Sequence, residues 1–271
     1  MKIYAIYDKE SEQNLAIGYL FYYEKAEAYV IELADWLDEW EAPLLFQGLV
    51  KKGIYTVPAS LAVLWVRERV IPSGRQNIGS ILKNAKLKEY NEMALLELSK
   101  GKCSQDSCYI EEIASEELPE EIKKRTNKNI SECFLAEDSQ IICLFYDNTV
   151  RKLDLSKMAD HDRDVCHILK NEALLESVKV GVGGYCITFN DSIEIAASAV
   201  RKEGVLLPLS ANDMLGFVQK NLVDTTTACD MLQCSRQNLS YLIKTKKLLP
   251  VMRGAKENLF TKGAVEKVRN E

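Results

Sequence analysis

The chain has 271 residues, 47% of them hydrophobic and 28% charged, which is enough apolar material for real cores and excludes wholesale disorder, collagen-like sequence and a small disulfide-held scaffold. At about 100–150 residues per domain this length predicts two or three domains. The net charge of −5 argues against a nucleic-acid binder, but it is unevenly spread: residues 1–113, 114–220 and 221–271 carry −4, −5 and +4.

The first residues, MKIYAIYDKE, alternate like a strand and meet acids at once, unlike a secretory signal. The longest apolar run, residues 57–66, is half the ~20 residues a bilayer span needs. A cytoplasmic protein with no membrane contact is expected. Three β-like stretches, KIYAIY, LAIGYLFYY and AEAYVIEL, predict a small antiparallel sheet. From Leu44 apolar residues recur at helical spacing, in LLFQGLVKKG and then PASLAVLWVRERV, with Pro58 near a helix start and Pro72 as a stop. Helices are predicted around Asn77–Leu87 and Glu92–Leu98, and a strand over Cys108–Ile113. Trp36, Trp40 and Trp65 are assigned to a core, the usual place of tryptophan.

Residues 114–129, ASEELPEEIKKRTNKN, hold a block of acids, Pro119 and a block of bases with almost no large apolar residue, and read as a linker between an N-terminal α+β module (1–113) and a second one (130–204). SECFLAED, QIICLFY and TVRKLDL predict a three-stranded meander with Asp147-Asn148 at a turn. A helix around Asn171–Ser177 and a hairpin of VKVGV and YCITF follow. Gly181, Gly183 and Gly184 between those strands read as a turn, because no helix start or Lys-Ser/Thr follows to hold a phosphate. Residues 160–164 read as a polar loop, and His161, His167 and Cys166 as no metal site. The eight cysteines lack tight C-x-x-C turns and are expected as free thiols. Residues 205–221 read as a second linker.

Residues 222–271 carry the strongest functional signal. One of Thr225, Thr226 and Thr227 is expected to cap a short helix, Gln233 and Cys234 to form a turn, and Ser235 to cap a second helix. Leu239, Leu242 and Ile243 fall at i, i+3 and i+4 and predict its buried face. The rest displays Arg236, Gln237, Asn238, Ser240, Tyr241 and Lys244. Gln and Asn can bond adenine edges through two atoms, Arg can do so with guanine, and Lys or Ser can fix a phosphate. Lys246 and Lys247, then two short strands around a turn with Arg253 and Lys256, predict a basic hairpin, and Thr261 is placed to cap a last helix.

Three resemblances follow from these residues. The run FYDNTVRKLDLSKM with LLESVKVGVGGYCITFNDSIEIAA resembles a small bacterial α+β domain of unknown function often fused to helix-turn-helix domains; Phe189 stands where its members typically carry Trp. Ser235-Arg236 followed by Leu239, Leu242 and Ile243 and a basic turn resembles the winged helix-turn-helix domains of the excisionase and MerR-like group, with Cys234 in place of the usual Val and Cys229 where Ala is common. Glu257 and Asn258 dilute the charge of the wing relative to that group. Residues 65–113, with Arg67, Arg69, Ile71-Pro72, Arg75 and Asn77, resemble the segment ahead of the kinase core in some HipA-like proteins, but no kinase core follows.

The expectation is therefore a multi-domain α+β protein, two small α+β modules followed by a winged helix-turn-helix. It is expected to be a non-enzymatic regulator of transcription, without cofactor, that binds double-stranded DNA as a homodimer. The group resemblance implies contacts from Arg236, Gln237, Asn238, Ser240, Tyr241, Lys244, Lys246, Lys247, Arg253 and Lys256. An autoregulating antitoxin whose residues 1–204 hold a protein partner is one form of this role. The alternative is an adaptor or antitoxin-type partner of a HipA-like kinase or toxin that touches no DNA. No Ser-His-Asp set is readable with only two histidines.

Overall fold

The computed structural model describes residues 1–11, 13–136, 139–159, 162–254 and 257–270. Helices and antiparallel sheets are mixed along the whole chain. The first five strands, β1 (Lys2–Asp8), β2 (Ala16–Tyr23), β3 (Ala28–Leu33), β4 (Thr56–Val57) and β5 (Cys108–Ile113), form one antiparallel sheet in the order β4-β3-β2-β1-β5. Its strands are apolar on both faces because both faces are covered. Tyr4, Ile6, Leu20 and Ile31 point into a core closed by α2 (Ala59–Arg67) and α4 (Glu92–Ser99), with α1 (Gln47–Val50) and α3 (Ile78–Asn84) at its margin. Ile3, Ala5, Phe21 and Val30 point the other way, onto Leu118 and Ile122.

That second cover corrects the first linker. Residues 114–129 contain a 3-10 turn and a helix, α5 (Glu120–Thr126), whose Ile122 is fully buried. Two apolar residues are enough here because charge does the rest: Arg125 donates to the fully buried Glu32 at 2.6 Å, to the Leu33 carbonyl at 2.9 Å and to Asp35. Arg69 is likewise internal. It lies 3.7 Å over the Trp65 ring and bonds Asp106, so one of the residues carrying the HipA-like resemblance is held within the fold, while Arg67 pairs with Glu92 at the surface. Among the tryptophans, Trp65 is buried and Trp36 half-buried, but Trp40 is 83% exposed, contrary to its expected core place.

In the middle of the chain, β6 (Ile130–Leu135), β7 (Gln140–Phe145) and β8 (Val150–Asp154) form the expected meander, and the expected hairpin strands β9 (Val178–Val180) and β10 (Cys186–Phe189) are joined by a strand not expected, β11 (Ile193–Ala196), in a second sheet of order β11-β10-β9. A shared core of Ile141, Phe145, Val165, Ile168 and Phe189 is closed by α6 (Leu155–Met158), α7 (Arg163–Leu169), α8 (Glu172–Glu176) and α9 (Ala197–Glu203). The polar loop expected after Asp160 gives way to α7, which Asp162 caps by accepting from the amides of Asp164 and Val165. Asp160 and His161 lie outside the described residues; among the described residues no group of three or more His, Cys, Asp or Glu is placed to hold a metal. The glycines make a turn. A Cβ on Gly184 would stand 2.1 Å from the Ile130 carbonyl oxygen, and one on Gly183 2.2 Å from the Tyr23 hydroxyl.

The second linker is also ordered. β12 (Val205–Leu206) pairs with β8, extending the meander to β12-β8-β7-β6, and α10 (Ala211–Asn221) starts from a Ser210–Asp213 capping box. The chain ends with β13 (Leu222–Asp224), α11 (Thr225–Leu232), α12 (Arg236–Lys244), β14 (Met252–Arg253), β15 (Asn258–Thr261) and α13 (Lys262–Asn270). All eight cysteines are free thiols, and no described helix is long and apolar enough to cross a membrane.

Candidate nucleic-acid interface

The last six elements close their own core: Val223, Ala228, Leu239, Leu248, Phe260 and Val265 are all buried against one another. α11 is capped not by a threonine but by Asp224, whose carboxylate accepts from the Thr227 amide at 2.7 Å; that amide also holds the carboxyl below its ordinary value. Thr225 is used elsewhere. Its hydroxyl lies 3.0 Å from the Asn258 amide, tying α11 to β15. Gln233 takes a left-handed conformation, φ 51°, and with Cys234 turns the chain within two residues. Ser235 then caps α12 as expected, accepting from the Asn238 amide at 3.3 Å.

The apolar face of α12 is sealed inward. Leu239 is buried, Leu242 and Ile243 are half-buried against the same core, and Cys229 and Cys234 fill it as small residues. Burial raises the Cys229 thiol above its ordinary value, which leaves it an inert packing group. Gln237, Ser240, Tyr241 and Lys244 fall at i, i+3, i+4 and i+7, so they form one stripe along the opposite face, and all four are exposed. Asn238 is exposed beside it. Among the described residues the side chains of Gln237, Asn238, Ser240 and Lys244 bond nothing, so their donors and acceptors point to solvent.

Arg236 differs. It is exposed, but its guanidinium donates to the Thr226 hydroxyl at 3.0 Å, a bond across the turn that steadies α12 against α11. Sequence reading missed this partner because it lies ten residues back.

Beyond α12, Lys246 and Lys247 are exposed. β15 is the central strand of a three-stranded sheet, β13-β15-β14, in which Met252 faces Leu259 and Arg253 faces Asn258. Arg253 is exposed at the end of this hairpin, and Lys256 lies outside the described residues. The strand β13 was not expected; three residues, Leu222 to Asp224, carry too little pattern to announce it. Thr261 accepts from the Ala264 amide at 3.3 Å, at the start of α13. The arrangement presents one polar helix face with a basic turn and hairpin beside it, a surface of hydrogen-bonding and cationic groups.

Comparison with known proteins finds no matching family model, curated protein or solved structure.

Proposed function

We propose that the protein is a non-enzymatic binder of double-stranded DNA that regulates transcription, and that residues 222–271 are a winged helix-turn-helix with α12 as the recognition helix and β14–β15 as the wing. The observation that carries this reading is the exposed Gln237, Ser240, Tyr241 and Lys244 stripe on a helix whose other face is sealed into its own core. Amide side chains can bond adenine in two places, and each such pair discriminates by about 1–3 kcal/mol. Gln237 and Asn238 take that role. Lys244, Lys246, Lys247 and Arg253 neutralise phosphates, and Arg236, held by Thr226, positions the helix. The local +4 of residues 221–271 suits a phosphate backbone, and the acidic remainder of the chain faces away from that task.

One module of this size buries little surface and binds weakly by itself, so two copies reading half-sites one helical turn apart, about 34–36 Å, complete the site. An autoregulating, antitoxin-like role fits the same surface. A protein-contact role for residues 1–204 has its own support in the exposed Trp40.

The test is selection of duplexes from a random pool by the full-length protein, followed by titration of the selected duplex at several salt concentrations. A DNA reader enriches a motif and loses affinity steeply with salt, by close to 0.9 log units per log of salt for each phosphate contact. Replacing Gln237 and Asn238 with Ala removes the preference and keeps salt-sensitive binding, whereas Lys244→Ala or Lys247→Ala lowers the salt slope by about 1. No enrichment together with a flat salt response refutes the reading.

A further inference from the structure

The loop between β3 and α1 is built firmly and yet turns its largest side chain outward. The Asp38 carboxylate accepts from the amides of Trp40 and Glu41 at 2.8 and 2.9 Å, and the Ala42 amide donates to the Asp38 carbonyl at 3.1 Å. Leu37, Ala42 and Phe46 anchor it in the core below, and Glu39 pairs with Lys51 at 3.0 Å. Within this frame Trp40 is 83% and Leu44 86% exposed. An exposed Trp on an ordered loop gains by being covered, and Trp is among the residues that dominate binding energy at interfaces. Its surroundings are acidic. Asp35, Asp38, Glu39 and Glu41 share the loop; Asp35 pairs with Arg125 and Glu39 with Lys51, which also lines the cleft of about 410 Å³ beside the first three acids, and this leaves Asp38 and Glu41 without an ion pair among the described residues.

A second surface of the same chain has the opposite charge and the same need. Leu249, Val251 and Met252, at and before the strand β14, are all more than half exposed. They are flanked by the exposed cations Lys246, Lys247 and Arg253. β14 is the outer strand of its sheet, with one edge unpaired. Phosphates offer these three apolar side chains nothing, so DNA binding leaves them unexplained.

We propose that the Trp40 loop of one copy docks on the β14 edge of a second copy. Trp40 and Leu44 cover Leu249, Val251 and Met252, and Lys246 or Lys247 comes beside Asp38 and Glu41. Both surfaces are exposed within one molecule, so the contact runs between molecules. Reciprocal exchange of loops closes a pair, and a one-way contact gives an open chain. Opposite charge steers the encounter and makes it salt-sensitive. The contact is argued from apolar exposure and charge alone and does not rest on the DNA reading; because it uses the β14 edge and a lysine that the DNA reading also uses, it is an assembly of the DNA-free protein that duplex DNA displaces.

Sedimentation velocity of the full-length protein over a concentration series, without DNA, is the test. The expected result is association that strengthens with concentration and weakens from about 50 mM to about 500 mM salt, as the shorter screening length requires. Trp40→Ala weakens it by roughly tenfold or more, the loss of one interface anchor. Val251→Ser with Met252→Ser does the same from the other side. All three side chains are exposed, so the variants keep the fold, which circular dichroism checks. The decisive arm mixes the two variants: one retains the edge and the other the loop, so the mixture forms a mixed pair that neither forms alone. A monomer at every concentration, association that survives both variants, or a mixture that stays monomeric overturns the proposal. Each of these outcomes leaves the DNA-selection result standing or falling by itself.

Discussion

Arg125→Met is the sharpest test of how the first sheet is tied to the segment after it. Glu32 lies in the middle of β3 with no exposed surface, and its carboxylate accepts from Arg125 at 2.6 Å and from the Thr56 hydroxyl at 3.0 Å. Methionine keeps much of the arginine stem and removes the guanidinium, with its charge and its place 5.4 Å over the Tyr55 ring. Leaving one member of a buried ion pair without its partner costs about 3–5 kcal/mol. The Arg125 side chain keeps 19% exposure, so water relieves part of this and the lower end of the range applies. At about 2–4 °C per kcal/mol for a chain of this order, the melting temperature falls by roughly 6–12 °C.

The loss depends on pH in a defined direction. Burial pushes the Glu32 carboxyl above its ordinary value of 4.5, and the Arg125 charge and hydrogen bond oppose that push. Without Arg125 the folded state holds a proton on Glu32 that the unfolded chain has already released. The folded state then binds more protons, so stability is greatest in acid and falls as pH rises from the ordinary carboxylate value through the raised one. Urea unfolding followed by tryptophan fluorescence reads this, because Trp65 is buried in the core on that sheet. The deficit relative to wild type grows from about pH 4.5 upward, and adding Glu32→Gln to Arg125→Met restores part of it and flattens the profile. A deficit below about 1 kcal/mol with the wild-type pH profile refutes the buried carboxylate.

Two further substitutions probe backbone geometry and one probes capping. Gly184→Ala, at φ 72° with the new Cβ 2.1 Å from the Ile130 carbonyl, costs more than about 2 kcal/mol in urea unfolding, whereas Gly216→Ala inside α10 meets no atom within 4 Å and adds about 0.5–1 kcal/mol. Equal effects at the two glycines refute the close approach. Ser235→Ala removes the side-chain cap at the N-terminus of α12 and costs about 1 kcal/mol, with faster hydrogen exchange concentrated in the first-turn amides of α12; unchanged exchange there refutes the capping role.

Elements stabilised by their own residues were legible in the sequence. The strands β1, β2 and β3 are long apolar runs, whereas the two-residue β4 was not expected, and α12 announces itself through Ser235 and the spacing of Leu239, Leu242 and Ile243. What was missed depends on partners far along the chain. α5 is polar except for Ile122, and its arginine finds Glu32 and Asp35 about ninety positions back. β12 is two residues long and exists because β8 offers an edge. Asp162 looked like part of an acidic loop because its role, accepting two amides at the start of α7, is local geometry that composition does not carry. The three threonines that open α11 drew attention from Asp224, the residue before them, for the same reason. Trp40 was assigned by the habit of its residue type, and the loop around it turns it out.

The joints between these parts differ in kind, and that difference bears on function. The first sheet and the middle of the chain interlock: Tyr185 packs with Tyr23 against the sheet face that α5 covers, and the Asn129 amide donates to the Gly183 carbonyl at 3.1 Å. A Cβ at Gly183 would collide with Tyr23, so the turn carrying these glycines is shaped to the sheet it meets. The last unit is joined more lightly. Its buried core draws only on residues from Val223 onward, while α10 reaches back through Ala211 and Met214 onto Leu144 and Val150 and through the Asn212 amide onto the Asn148 side chain, 2.9 Å away. The rest of α10 leaves Leu215, Phe217 and Val218 exposed. A unit that closes its own core keeps its α12 surface whatever happens to the Arg125 clamp. The clamp therefore bears on the acidic parts that carry Trp40 and leaves the core of the basic unit, which starts at Val223, to hold α12 by itself.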